Sequence, residues 1–191
     1  MTWEVTTQPT AEPLSVDEVK TFLNLTSNED NGMLEMFIKA AREWAEKVTG
    51  RALLSQTIKQ YFDEWPTGQF TLGISPATSV TSIQYKDSAG ATQAWSAANY
   101  TADTVSMPAR IVPTDAVDYP ELAEVPNAAW VTYVAGHSTT AGVPAHAKAP
   151  PLQNIGFLYE NREDIPINGV GGSYRVRSAD ALLFNNRLNL I

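Results

Sequence analysis

The chain has no cysteine in its 191 residues. That excludes a disulfide scaffold, a thiolate metal site and a thiol nucleophile, and it is compatible with a reducing compartment. Histidine is nearly absent too. His137 and His146 fall in a loop-like stretch, without a His-x-x-x-His spacing or an acidic cluster beside them, so no metal site and no cofactor is expected. No Gly-x-Ser-x-Gly elbow accompanies His137-Ser138, and two histidines cannot supply a nucleophile, base and orienter, so the chain does not read as an enzyme. Charged residues make up 18%, below the roughly 25% of an average soluble domain. Surfaces so poor in charge are often covered by partners. No run approaches the roughly 20 apolar residues of a membrane span. The start, Met1-Thr-Trp-Glu, lacks a basic region followed by an apolar core, so the expectation is a soluble chain that does not engage a membrane.

What charge there is has one dominant sign. The net charge is −8: residues 1–145 hold eight Lys/Arg against seventeen Asp/Glu, while residues 146–191 are mildly basic, with five Lys/Arg against four Asp/Glu. An acidic body cannot wrap nucleic acid by neutralising phosphates, although DNA can pass beside it. The adjacent carboxylates Glu29-Asp30 and Asp63-Glu64 point in different directions on any regular backbone and read as solvated turn charges, not an acid–base pair. Gly169-Val-Gly-Gly172 lacks the lysine and preceding strand of a phosphate loop and reads as a flexible joint. The five tryptophans, Trp3, Trp44, Trp65, Trp95 and Trp130, are dispersed without basic neighbours, which favours core or subunit-interface packing over base stacking.

Periodicity gives the elements. Residues 1–13, with Pro9 and Pro13, suit an extended N-terminal arm. Ser15-Val-Asp-Glu18 has the form of a capping box and opens a helix over 15–25 with Val16, Val19, Phe22 and Leu23 on one face. Leu34, Phe37, Ile38, Ala41, Ala45 and Val48 form the apolar stripe of a second helix over 32–49, closed by Gly50. From 56 to 135 the texture turns to short β runs: 57–63, 69–74, 80–86, 91–95, 109–113 and 129–134, with a hairpin loop at Asp87-Ser-Ala-Gly90. The proline-rich stretch 113–126 is expected as a surface loop. A third helix, 151–163, is placed to begin at Pro151 because proline suits a first helical turn and disrupts an interior one. Residues 165–191 read as a glycine-jointed C-terminal arm with a short terminal helix. The expected class is α+β: an α-helical bundle with a small antiparallel β part and extended arms, the connector domain proper being 14–164.

Several of these segments, in this order, resemble the head-tail connector (adaptor) family of tailed bacteriophages. They are Pro13-Leu-Ser-Val-Asp-Glu-Val-Lys20, the run Ala40-Ala-Arg-Glu-Trp-Ala-Glu46, Thr49-Gly-Arg51 with Gln56-Thr57, Ile83-Gln-Tyr-Lys-Asp-Ser-Ala-Gly90, Pro108-Ala-Arg-Ile111, Val131-Thr-Tyr-Val-Ala-Gly136 and Leu158-Tyr-Glu-Asn-Arg-Glu163. The resemblance implies a virion structural protein that forms a ring of about twelve subunits by heterologous contacts. It implies a place beneath the portal, completing the DNA-filled head and offering the attachment surface for stopper or tail proteins, after assembly in the host cytoplasm. DNA would be cargo in the lumen and the portal protein the direct partner. By the same analogy the basic, partly apolar tail would dock on the portal, and Arg175, Arg177, Leu182, Leu183, Phe184 and Arg187 are the candidate docking residues. The alternative is a stopper or tail-completion protein that binds the adaptor ring and never the portal.

Overall fold

Strict alternation from Gln56 to Phe62 makes the first well-defined strand: Gln56, Ile58, Gln60 and Phe62 are buried and Thr57, Lys59 and Tyr61 are only partly so. A half-covered sheet produces this pattern. The structure is a computed structural model and describes residues 2–114 and 118–161, together with Ala179, Leu183 and Arg187. In chain order the strands are β1 (Thr2–Thr7), β2 (Gln56–Phe62), β3 (Phe70–Thr71), β4 (Ala77–Lys86), β5 (Thr92–Trp95), β6 (Tyr100–Asp103), β7 (Arg110–Pro113) and β8 (Ala129–Ala135), and the helices are α1 (Val16–Leu23), α2 (Asn31–Thr49) and α3 (Ala145–Glu160). The fold is mixed α+β and divides into two compact units, each described by itself.

The β unit is built on residues 1–10 and 55–138. One antiparallel sheet runs β1-β2-β8-β4-β5 and a second runs β3-β7-β6. β8, between β2 and β4, is buried at Ala129, Val131, Tyr133 and Ala135 and forms the centre of the larger sheet. The β part is therefore not a small appendage. The first residues also differ from the expected arm: Thr2–Thr7 pairs with β2 from Thr2 opposite Tyr61 to Thr7 opposite Thr57, as an edge strand. The Asp87–Gly90 loop is the hairpin its sequence calls for. Gly90 takes φ +80°, and the Asp87 carboxylate accepts the N–H groups of Ala89 and Ala91.

The helical unit comprises residues 11–54 and 139–187 as far as they are described. Leu14, Val19, Leu34, Ile38, Ala41 and Ile155 form its main core, and Ala45, Leu53, Leu54, Val143 and Leu183 a second cluster. The capping box of α1 is present: the Ser15 hydroxyl accepts the Glu18 N–H at 3.1 Å and the Glu18 carboxylate accepts the Ser15 N–H at 2.7 Å. That backbone hydrogen bond holds the Glu18 pKa below its ordinary value. On α2 the buried stripe runs through Ala41, Arg42, Ala45 and Thr49, while Val48 is exposed. Phe22 also departs from the expected apolar face, at 46% exposed.

α3 begins six residues before Pro151, and both prolines lie inside it, buried. Its first turn is closed upstream: the Pro144 carbonyl accepts the N–H of Ala147 at 2.9 Å and of Lys148 at 3.2 Å. The bonds the prolines cannot make would have gone to the carbonyls of His146 and Ala147, in an opening turn whose residues His146 and Ala147 keep access to solvent. Position 151 is thus inside the helix, whose described end is Glu160, capped by Asn161.

Candidate interaction surfaces

Among the described residues no group of His, Asp or Glu is placed to hold a metal, and no helix is long and apolar enough to cross a membrane. Several buried polar side chains hold the backbone. Arg42, 2% exposed, lies between Glu12 and Glu46, with Nε to the Glu12 carboxylate at 2.8 Å and Nη1 to that of Glu46 at 2.8 Å. Burial opposes the charge, but Glu12 and Glu46 outweigh it and the guanidinium pKa is raised. The second Glu46 oxygen accepts the Leu53 N–H at 2.8 Å. One arginine on α2 thus fixes the segment entering α1 and the segment leaving α2, a use of its planar, multi-donor head that a lysine cannot copy.

In the β unit, Gln60 and Tyr133 are fully buried and point at the segment after β3. The Gln60 amide donates to the Thr71 carbonyl at 3.1 Å and accepts the Gly73 N–H at 2.7 Å, and the Tyr133 hydroxyl oxygen accepts the Ile74 N–H at 3.1 Å. Burial pushes the Tyr133 pKa up. Tyr61, beside β1, is pushed up to about 12, first by its hydrogen bond to Glu4. An aromatic group anchors the proline-rich loop. Trp65 stacks on Tyr119 with centroids 4.9 Å apart, Trp95 packs on Tyr119 at 5.2 Å and on Tyr100 at 5.3 Å, and Trp65 Nε1 donates to the Pro120 carbonyl at 2.9 Å. Trp65 and Trp95 are therefore packing residues, and the described part of the loop is tied down.

Two surfaces are apolar and open. The turn joining β6 to β7 carries Val105, 91% exposed, and Met107, 58% exposed. Beneath them Asp103 accepts the N–H groups of Val105 and Ser106 at 3.1 Å, the Ser106 hydroxyl at 2.7 Å and Arg110 Nε at 2.8 Å. These bonds, led by Ser106, bring the Asp103 pKa down to about 2. In the helical unit a cleft of about 570 Å³ opens between the end of α1 and α3, lined by Phe22, Leu23, Gln153, Gly156, Phe157 and Tyr159 among others. A Cβ on Gly156 would meet the Phe22 ring at 3.0 Å, so glycine lets that ring lie across α3. The Gln153 Oε1 atom is buried there with no hydrogen-bond partner.

The model of the phage gp6-like head-tail connector proteins matches residues 13–104. Over those residues the chain is similar to this head-tail connector family. Among curated proteins none matches. Three solved structures share the fold across the whole chain. The neck of an empty gene transfer agent (GTA) particle, computed with C6 symmetry, gives a TM-score of 0.77 at 21% identity. The virion of the native GTA particle gives 0.76 at 22%, and the native neck computed with C12 symmetry 0.75 at 20%. Each alignment covers 100% of this chain and 97% of the other.

Of the six residues proposed from the sequence for docking, Leu183 and Arg187 are described. Leu183 is 2% exposed in the cluster with Ala45, Leu53, Leu54 and Val143, and Arg187 is exposed. Arg175, Arg177, Leu182 and Phe184 lie outside the described residues. The sequence reading missed the tip and the cleft. The sequence holds a valine and a methionine between the turn-formers Asp103 and Pro108, and it places Phe22 on the face of Val16 and Val19, but neither pattern shows that these side chains are exposed.

Proposed function

We propose that this protein is a head-tail adaptor: copies assemble as a ring under the portal, complete the DNA-filled head and offer the surface on which stopper or tail proteins build. The observation that carries this reading is the joint one of family and fold. A connector-family match over residues 13–104 sits in a chain whose entire length superposes on chains from phage-like particle necks of sixfold and twelvefold symmetry. The described residues support it by what they hold: buried ion pairs and hydrogen bonds that fix backbone segments, and open apolar surfaces.

On this reading the basic tail makes the portal contact. Leu183 anchors it to the helical unit, and Arg175, Arg177 and Arg187 meet the portal, with Leu182 and Phe184 as apolar flanks. The acidic body lets DNA pass through the lumen without adhering, since like charge repels the phosphates. The test is binding of full-length protein to purified portal rings, compared with an Arg175→Glu/Arg177→Glu variant. A loss of tenfold or more in affinity is expected. Unchanged affinity would remove the tail from the contact. Binding to a pre-formed adaptor ring and not to portal would make the protein a stopper.

A further inference from the structure

We propose that neighbouring copies of this chain meet by seating the β6–β7 tip of one in the α1–α3 cleft of the next. The inference rests on the ring reading and names the contact that would build the ring. A closed ring of identical subunits needs two different, complementary surfaces on every chain. The open apolar surfaces described here are of opposite shape. The tip is convex, with Val105 and Met107 raised on a turn that Asp103 ties together through four hydrogen bonds. The cleft is concave, walled by Phe22, Leu23, Phe157 and Tyr159.

Charge argues for a second copy as the occupant. Chains of net charge −8 repel one another unless they meet through patches that carry none. Residues 104–109, Thr-Val-Ser-Met-Pro-Ala, are uncharged, and Asp103 beneath them is neutralised by Arg110. Of the described residues lining the cleft, Glu160 alone is charged. Covering such faces removes apolar area from water without apposing acidic groups. The cleft also holds the partnerless Gln153 Oε1 atom, an acceptor that a donor from an incoming chain would satisfy. Because the tip turn is already held in shape, little conformational entropy is lost when it seats.

The absence of cysteine makes the test clean. Full-length Met107→Cys and Phe22→Cys proteins would be mixed and treated with a short bismaleimide, alone and on portal rings. Both positions are exposed, so neither change disturbs a core. The expected result is a cross-linked dimer from the mixture, none from either variant by itself, and a ladder of higher species from the double variant. A Val105→Asp variant should keep its fold and lose assembly at least tenfold. Dimers from one variant alone would show a symmetric contact and overturn the proposal. Rings that form, by mass photometry, without the mixed cross-link would overturn it and leave the adaptor reading standing. A Phe22→Cys link to portal would give the cleft a different occupant and also overturn it. Absence of rings under every condition would overturn both.

Discussion

At the scale of single residues, two side chains define how this fold holds its irregular segments. Arg42 is buried between carboxylates that are themselves partly covered, so its removal leaves Glu12 and Glu46 without their cation. Breaking such a pair costs about 3–5 kcal/mol. Arg42→Ala is expected to destabilise the helical unit by about that much in urea unfolding, and Arg42→Lys to recover only part, because one ammonium cannot hold Nε and Nη1 contacts together. Asp103 is the second. Its folded pKa is about 2, below the ordinary 3.8, so its stabilisation is fully present above about 4 and is lost as pH falls through about 2. The Asp103 carboxyl ¹³C shift should titrate near pH 2, and the Val105 and Ser106 amides should move with it. A midpoint near 4 would mean that the turn is not held as described.

At the scale of elements, what could be read in the sequence was what local chemistry decides. The capping box at Ser15 and Glu18, the α2 stripe from Leu34 to Ala45 and the Asp87–Gly90 hairpin need only near neighbours, and each is in place, while Val48 at the end of the stripe is exposed. What could not be read depends on distant partners. Thr2–Thr7 has the alternation of a strand but no buried face, and pairing with β2 alone makes it one. β6 is four residues long and exists through β7. β3 is two residues long and pairs only briefly with β7, and the segment after it is held by buried side chains, which yields a direct expectation. Tyr133→Phe deletes the acceptor of the Ile74 N–H and leaves that donor buried and unpaired, at a cost of about 1–3 kcal/mol. Calorimetry should show the loss, with amide exchange fastest at Gly73 and Ile74. α3 misled the sequence reading because the rule against interior proline ignores a first turn closed on Pro144. The tip and the cleft were illegible for a related reason: exposure of Val105, Met107 and Phe22 is decided by the fold, and a lone apolar residue in sequence gives no sign of it.

At the scale of the whole molecule, the account makes this chain a building block whose chemistry is spent on holding shape and on presenting surfaces to other chains. The charge distribution, the open apolar surfaces and the match to connector proteins over residues 13–104 converge on assembly. Whether copies gather as a ring on the portal is read by mass photometry of the full chain, alone and mixed with portal rings. Complexes heavier than the portal by about twelve chains are expected, the number a closed heterologous ring on a twelvefold site would carry, with loading reduced by Arg175→Glu/Arg177→Glu. Portal rings that keep their own mass in an excess of the intact chain would contradict it.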